Sequence, residues 1–127
     1  MTAEILLVDD NAVQASTRRT ILSRSGRMVA VAAGAHQALV MLEDEQLLHS
    51  INLVITDHWM PGMNGPEFVA SLRRRLPVIP VLVLSGLPDA EEEYAGMDVI
   101  FRIKPLAPDQ LIALVESLLD SPMGRTA

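Results

Sequence analysis

Four apolar runs close on polar residues: Ile5-Leu6-Leu7-Val8 on Asp9-Asp10, Leu53-Val54-Ile55-Thr56 on Asp57, Val81-Leu82-Val83-Leu84 on Ser85, and Val99-Ile100-Phe101-Arg102-Ile103 on Lys104. Continuous runs of this kind predict strands buried on both faces of a parallel sheet. With Met28 to Ala32 they give strands over 4–9, 28–32, 52–57, 80–85 and 98–103. Helical spacing fills the gaps. Asn11 is the N-cap of a first helix whose stripe is Val13, Thr17, Ile21 and Leu22, running to Gly26. A second helix starts near Ala35 and carries Leu39, Met41 and Leu42 to the polar Glu43-Asp44-Glu45. A loop from Met60 to Gly65 leads to Pro66, which suits the first turn of a third helix presenting Phe68, Val69, Leu72 and Leu76. The last helix, Ala107 to Leu119, turns Leu111, Leu114, Val115 and Leu118 inward, and Ile112 and Leu119 add apolar surface beside that stripe. Between Ser85 and Lys104 there is room for only a short, acidic fourth helix. Five βα units imply an α/β fold with helices on both faces of the sheet.

At 127 residues the chain is one domain, 1–127, with a core over about 3–120 and a frayed tail over 121–127. Half of it is hydrophobic and only 3% is aromatic, so the core is aliphatic and Met-rich. A net charge of −6 argues against direct nucleic-acid binding. The basic run Arg73-Arg74-Arg75 is read as complementing a helix dipole. Absence of cysteine excludes disulfides, thiolate catalysis and Cys-based metal sites. With no leader and no bilayer-spanning apolar stretch, the expected setting is the cytoplasm, without a membrane partner.

In open α/β sheets, ligands gather at the carboxyl ends of the strands. Asp9, Asp10 and Asp57 converging there would repel one another unless a hard cation such as Mg²⁺ sat among them. With Ser85 and Lys104 on the same rim, the set is suited to holding a metal and a phosphoryl group together. His58 is read as neither metal ligand nor phosphate relay, and His36 and His49 as surface residues.

Leu7-Val8-Asp9-Asp10-Asn11, Thr56-Asp57-His58-Trp59-Met60-Pro61-Gly62-Met63-Asn64-Gly65, Leu84-Ser85-Gly86 and Lys104-Pro105 together resemble the receiver domain of two-component response regulators, of the chemotaxis-regulator type. The resemblance implies a doubly wound sheet of flavodoxin-like order 2-1-3-4-5. It implies a signalling domain that catalyses only its own phosphorylation and dephosphorylation, not an enzyme. Asp57 would be the phosphoacceptor, supplied by a sensor histidine kinase or a phosphotransfer protein. Asp10 would bind Mg²⁺ directly, Asp9 directly or through water, and the Trp59 backbone carbonyl would complete the protein's share. Lys104 and Ser85 would contact phosphoryl oxygens. Ser85 and Phe101 would form the switch toward an unknown downstream protein, and Lys104-Pro105 would be cis. A homodimer is compatible with this reading. Trp59 and Leu87 are two apolar residues set to shield the acyl phosphate from water. The competing class is a phosphorylation-independent interaction module. A haloacid-dehalogenase-type phosphatase is rejected because Trp59 stands where its second acid belongs.

Overall fold

Alternation of side chains along each strand organises the molecule. A computed structural model of the chain describes residues 3–120. The strands are β1 (Ile5–Val8), β2 (Val29–Ala32), β3 (Leu53–Asp57), β4 (Val81–Ser85) and β5 (Ile100–Ile103). They form one sheet of order β2-β1-β3-β4-β5, parallel at every pairing. Ile5, Leu7, Leu53, Ile55, Leu82 and Leu84 face one core layer, which is closed by Leu22, Leu111, Val115 and Leu119. Leu6, Val8, Val54, Val81 and Val83 face the opposite layer, closed by Ala38, Leu42, Phe68, Val69 and Leu72. Each large side chain buried this way contributes roughly 1.5–3 kcal/mol, against about 1 kcal/mol for a helix cap. Strand burial therefore sets the register, and caps trim the ends.

The helices are α1 (Ala12–Arg24), α2 (Ala35–Met41), α3 (Glu45–Ser50), α4 (Gly65–Arg75) and α5 (Pro108–Asp120). Asn11 caps α1 as expected, its side chain accepting from the Gln14 N–H at 3.0 Å. Asn64 and Glu67 form a reciprocal capping box on α4. The described strands start one or two residues later than expected, and β1 also ends one residue earlier, at Val8.

Four expectations need correction. The first-helix stripe holds at Ile21 and Leu22 but not at its start: Val13 and Thr17 are exposed, and Ala15 is buried instead. Spacing of three to four residues then puts Arg18 on the inward face between Ala15 and Leu22. The second helical region is two helices, because Asp44 caps α3 through the Gln46 N–H at 2.9 Å instead of ending a run. Leu119 is buried in the α5 core layer and is not free apolar surface. Arg73 does more than meet a dipole: its guanidinium donates to the carbonyls of Leu76, Ile79, Met97 and Asp98. It thereby ties the end of α4 to the approach to β5.

The crossover between β4 and β5 is a single 3₁₀ segment, Pro88–Tyr94, with Ala90 and Tyr94 buried. No helix among the described residues is long and apolar enough to cross a membrane. The tail expected over 121–127 lies outside the described residues.

Candidate phosphoacceptor site

The alternation that builds the core also aims the acids. Asp9 continues the parity of Ile5 and Leu7, and Asp57 that of Leu53 and Ile55, so both belong to the layer beneath α1 and α5. Both are buried, at 1% and 3% exposure, while Asp10 is exposed on the rim. Carboxylate oxygens of Asp9, Asp10 and Asp57 lie within 4.8 Å of one another. Lys104 Nζ reaches Asp57 Oδ1 at 3.2 Å. The Lys104–Pro105 peptide bond is cis, as the resemblance implied, and the Lys104 backbone N–H donates to the Ser85 carbonyl at 2.7 Å.

Arg18 was not anticipated. A single guanidinium nitrogen, Nη1, lies 2.8 Å from Asp9 Oδ2 and 3.2 Å from Asp57 Oδ1. The signal was present in the spacing, since residues 11, 15, 18 and 22 share one helix face, but the Val13–Thr17–Ile21 stripe masked it. Burial pushes the Asp9 carboxyl up to about 7, reinforced by the adjoining Asp57 carboxylate and opposed by the Asn11 N–H and Arg18. Three acidic side chains thus face two cationic ones, Arg18 and Lys104. An all-oxygen donor set with surplus negative charge fits a hard divalent ion.

Ser85 is buried, and its Oγ accepts the Leu87 N–H at 2.9 Å while its hydroxyl faces the Leu87 carbonyl at 3.3 Å. Phe101 is buried against Tyr94, ring centroids 6.0 Å apart. Trp59 is 75% exposed and Leu87 60% exposed, so both apolar side chains stand largely in solvent. His58 is buried, its Nδ1 2.7 Å from Tyr94 Oη and its Nε2 3.6 Å from Glu93. It is a satisfied core histidine, in keeping with the sequence reading, and His36 and His49 are exposed.

The family model for the response regulator receiver domain matches residues 5–116. Among curated relatives, the hydrogenase transcriptional regulatory protein HoxA of Cupriavidus necator is 31% identical over 94% of this chain and 24% of its own length. The response regulator MprA of Mycolicibacterium vanbaalenii is 33% identical over 94% of this chain and 51% of its own. The chain thus spans from about a quarter to half the length of these relatives. Among solved structures, the chemotaxis protein CheY4 of Vibrio cholerae superposes with a TM-score of 0.81 at 26% identity, covering 94% of this chain and all of that one. With the family model matching nearly the whole described chain and the fold superposing on a chemotaxis protein, this chain belongs to the response regulator receiver domain family, the phosphoacceptor domains of two-component signalling.

Proposed function

We propose that Asp57 receives the phosphoryl group, and that Asp9, Asp10, Asp57 and the Trp59 carbonyl would hold Mg²⁺ while Lys104 and Ser85 contact the phosphoryl oxygens. The supporting observation is the buried Asp57 carboxylate, at the end of β3, inside the acid trio and 3.2 Å from Lys104 Nζ. When bound, the ion supplies positive charge that offsets the gathered carboxylates and the phosphoryl oxygens. An Asp57 oxygen attacks the phosphorus of a phosphohistidine. The new O–P bond forms as the P–N bond breaks, and the imidazole leaves with the electron pair. Lys104 provides a positive charge that needs no reorganisation as the phosphoryl group arrives. Ser85 exchanges its Leu87 contacts for a phosphoryl oxygen, and Phe101 reports that change to the outer face. Attack by water on the same phosphorus restores the carboxylate and releases phosphate.

Residues 1–127 act in this reading as a single receiver domain in the cytoplasm. Its partners are a sensor kinase or phosphotransfer protein, a downstream protein and, as an option, a second copy. No observation favours the phosphorylation-independent module. The test is intact-mass analysis after incubation with a small-molecule phosphodonor and Mg²⁺. Wild type should gain one phosphoryl group and Asp57→Asn none, with unchanged circular dichroism. A fully phosphorylated Asp57→Asn would move the acceptor elsewhere.

A further inference from the structure

We propose that Arg18 is a tethered counter-ion that competes with the divalent cation for the acid pocket, so that metal binding requires its guanidinium to withdraw. This rests on the reading of Asp9, Asp10 and Asp57 as the metal-holding acids.

The oxygens themselves carry the argument. Asp9 Oδ1 is occupied by the Asn11 backbone N–H at 2.8 Å. Asp9 Oδ2 is therefore the oxygen left to offer a cation, and Arg18 Nη1 holds it at 2.8 Å. The same nitrogen reaches Asp57 Oδ1 at 3.2 Å, an oxygen also approached by Lys104 Nζ at 3.2 Å. One charged atom thus bridges the two buried carboxylates, as a small cation would. Like charges repel, and a partly buried pair is poorly screened by salt. Asp57 Oδ1 already faces two cations, so a divalent ion that also takes Asp9 Oδ2 meets the repulsion of both and claims the oxygen that only Arg18 holds.

A place exists for the displaced side chain. A cavity of about 520 Å³ lies between α1 and the turn into α5, lined by Arg18 itself with Val13, Gln14, Thr17, Lys104 and Pro105. Gln14 Oε1 is buried and has no hydrogen-bond partner among the described residues. Gln14 precedes Arg18 by four positions on α1, the spacing at which helical side chains meet. The unpaired amide oxygen is an acceptor awaiting the donor that the acids release. Arg18 thus has two positions, one on the carboxylates and one on Gln14. The metal concentration sets which is filled.

Magnesium chloride titrations, followed by the fluorescence of Trp59, the lone tryptophan, separate this inference from the reading beneath it. Wild type, Arg18→Gln, Arg18→Met and Asp10→Ala are compared at mildly alkaline pH. Removing the competitor should tighten Mg²⁺ binding about five- to tenfold in both Arg18 variants, the scale of a partly buried ion pair, while Asp10→Ala weakens it. Equal or weaker binding by folded Arg18 variants overturns the competition and leaves the metal site intact. No binding by wild type, or binding undiminished in Asp10→Ala, overturns the metal site and the competition with it. Should the Arg18 variants not fold, wild type still decides. The guanidinium resonances of Arg18 should be restrained without metal and shift as Mg²⁺ saturates. Resonances that stay unchanged through saturation overturn the proposal.

Discussion

The phenol oxygen of Tyr94 sits 2.7 Å from Nδ1 of His58, the residue that follows Asp57 in the chain. Their rings meet edge to face at 5.6 Å, and Tyr94 also packs against Phe101. The 3₁₀ crossover is thereby bonded to the strand end that carries Asp57. Gly65 makes the arrangement possible, since a Cβ at that position would lie 1.8 Å from Tyr94 Oη.

Gly65→Ala should therefore destabilise the protein by about 1–3 kcal/mol, the usual cost of overpacking. Tyr94→Phe alone should cost about 1–2 kcal/mol by leaving His58 Nδ1 without its partner. Because the clash is chiefly with the hydroxyl, the two changes together should cost less than their sum. Urea denaturation of the four proteins measures this. Strict additivity would mean that Gly65 and Tyr94 act independently.

Asp10 is the exposed member of the acid trio, so its removal should spare the fold while weakening the metal site. Asp10→Ala relieves repulsion among carboxylates and should keep or raise the urea midpoint, yet lose phosphorylation by a small phosphodonor. Wild type in excess chelator should behave the same way. Normal labelling under either condition would contradict a metal requirement.

Trp59 follows Asp57 by two residues, and its side chain is largely in solvent. Trp59→Asn removes an apolar cover and introduces an amide able to orient water. The acyl phosphate should shorten in lifetime by about tenfold at most, or roughly 1.4 kcal/mol of barrier. Decay after removal of the donor is the measurement. An equal or longer lifetime would leave Trp59 only its backbone role.

Burial holds the Asp9 carboxyl at about 7, well above its ordinary 3.8. Between those values the folded chain keeps a proton that the unfolded chain has released. Stability therefore falls as pH rises through that window. In metal-free buffer the urea midpoint should decline from about pH 4 to about pH 7, and Asp9→Asn, with no proton to lose there, should flatten the slope. A slope identical in the variant would assign the effect to other groups.

Much of this protein was legible along the chain because the deciding physics is local or periodic. Runs such as Leu53–Thr56 and Val81–Leu84 are buried whichever helix covers them, and a strand end exposes the next side chain, so Asp57, Ser85 and Lys104 could be placed at one rim. Caps were equally readable at Asn11 and at the Asn64–Glu67 box, where a side chain bonds a backbone group three residues away. Arg18 was missed although it shares a helix face with Ala15 and Leu22, since an arginine among polar residues on a helix reads as solvated. Only packing α1 on the sheet turns it toward Asp9 and Asp57, where three carboxylates make burying a guanidinium favourable. Tyr94 and His58 are 36 positions apart, and their bond follows from the crossover folding over Gly65. Sequence determined which residues reach the rim. Tertiary structure decided which charges face one another there, because Coulomb interactions depend on distances that only the packed chain creates.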